Sequence, residues 1–137
     1  MEIKNSSKKY RSTATMVYSC QYHVIFTTKY RRKVLSDDVA ARLKELILAR
    51  QTDYQYEIIE MEVMPDHVHL LIDVNPAIGI NVVIRKIKGF TAHALKKEFS
   101  HLRTRLPCLW TRSKFISTVG AVSLETVKQY IEDQKNK

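Results

Sequence analysis

The chain has 137 residues, 45% of them hydrophobic, with a formal net charge of +9 and only 3 Gly and 3 Pro. That length makes one domain over residues 1–137 that buries a core without staples, and Cys20 and Cys108 are expected to be free thiols. No apolar run approaches the roughly 18 residues of a membrane span, and the polar start is not a signal peptide, so the expectation is a cytoplasmic protein that makes no use of a membrane.

The charge is segregated. Residues 1–33 carry eight basic and one acidic side chain, residues 34–84 three basic and nine acidic, and residues 85–114 nine basic and one acidic. Two basic blocks around an acidic middle suit a polyanion footprint beside a cation site; solvated lysines are the plain alternative.

Along the chain, residues 1–14, with Lys4, Lys8, Lys9 and Arg11, are expected to form a mobile basic arm. Residues 18–27 are rich in aromatic and β-branched side chains and predict the first strand. Lys29, Tyr30, Arg31, Arg32 and Lys33 then make a basic loop with one aromatic, a combination that suits phosphates plus a stacked base. Ser36 is placed to cap a helix with Asp37 and Asp38 in its first turn, and Val39, Leu43, Leu46 and Ile47 keep helical spacing to about Thr52.

Residues 56–64 predict a second strand. Pro65-Asp66 turns it into a third, in which Val68, Leu70 and Ile72 alternate with His67, His69 and Leu71. Strand alternation puts His67 and His69 on one face, about 7 Å apart along the strand, as two polar residues on a wet face or as a metal-binding pair.

After Asn75-Pro76, residues 79–100 read as a helix with Arg85, Lys86 and Lys88 largely off its apolar stripe. Gly89 within it weakens the helix or admits a close backbone, while His93 and His101 read as surface or capping groups. A loop over 107–110 leads to a last strand over 115–119, broken by Gly120. Ser123 then caps a final helix whose apolar stripe is Leu124, Val127 and Ile131. The β-α-β-β-α-β order predicts an α+β, ferredoxin-like sheet: split β-α-β, antiparallel, helices on one face, with the histidine strand central and a C-terminal helix added.

Tyr130 and Gln134 on that last helix are spaced i, i+4 and share a face. Two histidines leave a metal in need of an oxygen ligand, for which the Gln134 amide is one candidate, and a phenol beside a cation can act as a nucleophile.

In this setting the chain resembles the single-tyrosine HUH transposases of the insertion sequence 200/605 family. The resemblance rests on Tyr22-His23-Val24-Ile25-Phe26, on Lys29-Tyr30-Arg31-Arg32-Lys33-Val34-Leu35, on Glu60 through Leu71 with Pro65-Asp66-His67-Val68-His69 at its centre, on Ile87-Lys88-Gly89, on Leu109-Trp110 and Phe115-Ile116-Ser117-Thr118-Val119-Gly120, and on Tyr130 with Gln134. It implies Tyr130 as nucleophile, His67, His69 and Gln134 as ligands of a divalent metal, Mg2+ or Mn2+, and single-stranded DNA hairpins at transposon ends as the substrate. It also implies strand cleavage and rejoining through a 5′-phosphotyrosine, in a homodimer whose histidines meet the partner's tyrosine helix in trans. Contacts to DNA are expected from Lys29, Arg31, Arg32, Lys33, Arg85, Lys86 and Lys88. Two other readings remain open on the residues. One is a metal-dependent hydrolase using water, with Asp66 or Asp73 recruited to the metal. The other is a non-catalytic single-strand binding module that stacks bases on Tyr18, Tyr22 and Phe26.

Overall fold

Strand pairing follows from the hairpin that Pro65-Asp66 closes. The structure, a computed structural model, describes residues 10–119 and 124–135. The expected arm over residues 1–9, Gly120 and the Ser123 cap lie outside the described residues, as do the side chains of Leu124 and Val127. In chain order the elements are β1 (Arg11–Ser12), β2 (Val17–Tyr18), β3 (Gln21–Thr27), a 3-10 turn (Lys29–Arg31), α1 (Asp37–Ala49), α2 (Gln51–Tyr54), β4 (Tyr56–Met64) and β5 (His67–Val74). These are followed by α3 (Ile80–Glu98), α4 (Ser100–Arg105), β6 (Phe115–Thr118) and α5 (Leu124–Asp133).

The main sheet runs β4-β5-β3-β6 with every pair antiparallel, which is the expected α+β split arrangement with the histidine strand β5 central. One face carries Val24 and Phe26 of β3 with Val68, Leu70, Ile72 and Val74 of β5. They pack against Val39, Leu43 and Ile47 of α1 and Val83, Ile84, Ile87 and Leu95 of α3 in a single core. Each such aliphatic side chain, fully buried, contributes about 1.5–3 kcal/mol relative to exposure. Tyr22 packs against the same core and Phe26 is wholly buried in it, edge-on to Trp110. That withdraws Phe26 from base stacking, while Tyr22 is partly buried against the same core.

By alternation the opposite face carries His67, His69, Leu71 and Asp73 of β5 beside Gln21, His23, Ile25 and Thr27 of β3. Register sets Ile25 directly between His69 on one side and Phe115 of β6 on the other. Paired residues share a face, so Phe115 continues the histidine face toward the sheet edge. The ring of Tyr130 lies 5.4 Å from that of Phe115, centre to centre, which brings α5 against this side of the sheet.

Several local expectations change. The strand expected over 18–27 is interrupted at Ser19 and Cys20, where the Cys20 N–H donates to Asp73 Oδ1, and β1, from the expected arm, pairs with β2 in a separate small hairpin. The helix expected to reach Thr52 breaks at Arg50 and resumes as α2, which Gln55 ends in a left-handed conformation at φ 57°. Ser36 sits at the N-cap of α1 without a side-chain cap bond; its carbonyl accepts from Val39 and Ala40. A Cβ at Gly89 would meet nothing within 4 Å, so no backbone comes close there. The short helix α4 was not expected. Cys20 and Cys108 are free, and among the described residues no helix is long and apolar enough to cross a membrane.

Candidate active site

The basic loop after β3 is stitched to the turn before β5. Thr28 N–H donates to Asp66 O at 3.0 Å and Leu35 N–H to Pro65 O at 2.9 Å, so residues 29–33 ring the start of the histidine strand. Tyr30 and Arg31 both take positive φ, 57° and 53°, which side-chain-bearing residues adopt only under constraint. The constraint on Arg31 is visible. Its Nε donates to Asp66 Oδ2 at 2.8 Å and its Nη1 to Glu132 Oε2 at 3.3 Å, two residues beyond Tyr130 on α5. One guanidinium thus spans the histidine turn and the tyrosine helix.

Asp66 also accepts from His67 Nδ1 at 2.7 Å. Burial raises the pKa of Asp66, but the bonds from His67 and Arg31 outweigh it and leave the carboxylate below its usual value. An N–H on Nδ1 leaves the lone pair of His67 on Nε2, the tautomer that a metal ligand needs. That Nε2 is buried and has no hydrogen-bond partner among the described residues. Gln134 Oε1 and the Tyr130 hydroxyl are in the same condition, and Gln134 as a whole is only 3% exposed. An unpartnered buried polar atom costs about 1–3 kcal/mol, and three such atoms fall on residues that the resemblance assigns to one chemistry. A lone pair, an amide oxygen and a phenol are a donor set that fits a divalent cation and a phosphate.

His69 differs. Its Nε2 lies 3.3 Å from Nδ1 of His23, and both rings are buried. Burial, then His23 and His67, lower the His69 pKa to about 4, and burial lowers that of His23. Burial also pushes the Tyr130 phenol up to about 12. The sign of the His69 shift gives a first prediction. Between about pH 6.5 and 4 an unfolded chain binds a proton that the folded one refuses, so acid favours unfolding across that window. The metal-free protein is expected to lose on the order of 3 kcal/mol from this group as pH falls from 7 to 4. Urea titrations against pH measure it, and His69→Asn should flatten the decline; an unchanged decline would show that other groups cause it.

Among the described residues no three His, Cys, Asp or Glu side chains come together as a metal cage. Asp66 is bound by Arg31 and His67, and Asp73, at the far end of β5, takes the Cys20 N–H and pairs with Arg11 Nε at 3.2 Å. The carboxylates that a water-using hydrolase would recruit are therefore engaged.

The expected DNA-contacting residues divide. Tyr30, Arg31, Arg32 and Lys33 line an open pocket of about 670 Å³ with Lys135, just past α5. Tyr30 is 44% exposed, with Lys29 Nζ 5.0 Å from its ring centre. Arg85 and Lys86 are exposed on α3, across the sheet from the histidines, and Lys86 sits over the Tyr54 ring. Lys88 is half-buried, its ammonium donating to the carbonyls of Thr111, Arg112 and Ser113; burial, then Lys114, lower its pKa to about 8. It tethers a loop. Sequence reasoning took Asp66 for turn chemistry and gave His23 no role. Their signals were the carboxylate next to His67 and a third histidine on the partner strand.

The family model described as Transposase IS200 like matches residues 16–134. The chain is 37% identical over 123 residues to the ISDra2 transposase TnpA of Deinococcus radiodurans, covering 88% of each. It is 27% identical over 127 residues to the transposase for insertion sequence element IS200 of Salmonella typhimurium, covering 90% of this chain and 82% of that one. Among solved structures it is similar to a Deinococcus radiodurans R1 protein described as a transposase, with TM-score 0.84, 35% identity, and coverage of 93% and 99%. A REP-associated tyrosine transposase bound to a REP hairpin shares the fold alone, with TM-score 0.53, 16% identity, and coverage of 95% and 69%.

Proposed function

The chain belongs to the IS200-like transposase family, and on that premise we propose that it cleaves and rejoins single-stranded DNA at hairpins near transposon ends, with Tyr130 as nucleophile. The observation that supports this most is the trio of buried, unpartnered atoms, His67 Nε2, Gln134 Oε1 and the Tyr130 hydroxyl. His67, His69 and Gln134 would hold the metal, Mg2+ or Mn2+. A divalent cation bound there would polarise the scissile phosphate and lower the cost of forming a phenolate.

Tyr130 attacks phosphorus, its oxygen forming the new ester bond as the P–O3′ bond breaks. The products are a 5′-phosphotyrosine and a free 3′-OH, and attack by another 3′-OH reverses the chemistry at a new junction. Asp66 holds His67 in the ligating tautomer, and Arg31 holds Asp66. The protein would act as a homodimer with its sites in trans. Incubation with end-labelled hairpin DNA and Mg2+, followed by a denaturing gel, tests the reading. A protein–DNA adduct that disappears with chelator is expected; cleavage without any adduct would select the hydrolase.

The pocket beside α5 offers Arg32, Lys33 and Lys135 to backbone phosphates and Tyr30 to an unpaired base. Arg85 and Lys86 would make a second contact for a hairpin that reaches round the sheet. Hairpin DNA should bind well above plain duplex of the same sequence. Neutralising two phosphate contacts in Arg32→Gln, Lys33→Gln should flatten the log–log salt dependence by about 1.4. An unchanged slope by filter binding at several salt concentrations would place the DNA elsewhere.

A further inference from the structure

The two histidines of the motif are not equivalent, and a third explains why. His23 and His69 are diagonal neighbours on the central strands β3 and β5, since His69 pairs with Ile25 and His23 with Leu71. Their facing nitrogens are 3.3 Å apart, their ring centres 5.5 Å apart, and their planes 21° from parallel. The centre-to-centre distance exceeds the nitrogen distance by about the two ring radii. The nitrogens therefore point at one another nearly in plane, as in a hydrogen bond, and the rings are not stacked face to face. In a neutral pair one nitrogen donates and the other accepts.

We propose that His23 is a positioning residue that occupies His69 Nε2 until a divalent cation takes it. The proposal rests on the reading of His67 and His69 as metal ligands. His67 is ready for a cation, with Nδ1 committed to Asp66 and Nε2 unpartnered. His69 has no spare lone pair at Nε2 while it shares a hydrogen bond with His23. Loading exchanges that bond for the metal bond, and the Nε2 proton, where His69 is the donor, moves to solvent or to Nδ1 of the same ring. Between loadings His23, 2% exposed on a central strand, keeps the His69 ring from turning away and spares a second buried nitrogen from being left unpartnered. The metal thus competes with one internal hydrogen bond at one of its two imidazoles.

The test needs no catalysis. In full-length protein with 15N-labelled histidine, the coupling across the N–H···N bond between His23 and His69 should be present without metal. It should vanish on Mg2+ titration as the His67 and His69 signals shift. Mn2+ affinity, read from the free-ion electron paramagnetic resonance signal, should tighten about three- to tenfold in His23→Phe, the worth of one net hydrogen bond. It should return toward wild type in His23→Gln, which restores a polar partner. If His67 and His69 respond to Mg2+ while the coupling to His23 persists, or if Mn2+ binds His23→Phe no more tightly, the proposal is overturned and the metal site stands. If neither His67 nor His69 responds, the metal reading itself falls. Should His23→Phe fail to fold, the coupling in the wild-type protein decides alone.

Discussion

Tyr130→Phe is expected to lose strand cleavage by at least about 10³- to 10⁴-fold, because on the proposed reading it deletes the attacking oxygen and leaves the rest of the site in place. Hairpin affinity should stay within about twofold, since the change removes no charge and the basic pocket lies on the loop after β3 and at Lys135. A structural consequence separates this variant from a simple lesion. The Tyr130 hydroxyl is buried without a partner among the described residues, so removing it should stabilise the metal-free protein by about 1 kcal/mol. Loss of activity together with a gain in melting temperature is the expected pair of readings. The phenol, pushed up to about 12, is overwhelmingly protonated at neutral pH. Wild-type cleavage under saturating metal should therefore rise as pH rises from 6 to 9, the direction that increases phenolate. With His69 down at about 4, protonation of that proposed ligand adds no fall in rate above pH 6. Cleavage retained in Tyr130→Phe, or an adduct mapped by mass spectrometry to another tyrosine, would sink the assignment.

The readable parts of this chain were those where one period carries one meaning. The apolar spacing of Val39, Leu43 and Ile47 gave α1, and the alternation of Val68, Leu70 and Ile72 gave β5 and put both histidines on the opposite face. Breaks that no periodicity encodes were missed: the stop at Arg50, the left-handed Gln55, and the interruption at Cys20, which a contact with Asp73, 53 residues away, secures. The same division holds in the site. Spacing places Tyr130 and Gln134 together on α5, but it is silent on Arg31 joining Asp66 to Glu132, 66 residues apart in sequence, and on His23 facing His69. Lys88 shows the reverse. Off the apolar stripe it reads as free for DNA, whereas its half-buried ammonium donates to three backbone carbonyls.

Mixing two inactive variants should restore cleavage. On the proposed reading His67→Ala would lack a metal ligand and Tyr130→Phe the nucleophile, so each homodimer is expected to be inactive however the helices are arranged. Within one chain, α5 meets its own sheet through Tyr130 on Phe115 and Glu132 on Arg31. A helix exchanged between two identical chains makes those same contacts with the partner, because the surfaces are the same. Contacts alone therefore do not distinguish the two placements. In sequence, Val119-Gly120-Ala121-Val122-Ser123 joins β6 to α5, and residues 120–123 lie outside the described ones. If the sites form in trans, a mixed dimer joins the intact histidines of the Tyr130→Phe chain to the intact tyrosine of the His67→Ala chain and rebuilds one of its two sites. Equal mixing makes half of all dimers mixed by random pairing, so about a quarter of wild-type activity should return. In a cis arrangement every site retains its own lesion and none should return. The readout is labelled hairpin cleavage after subunit exchange has been verified with two chains of different mass. Exchange without activity would show that each histidine pair works with the tyrosine of its own chain.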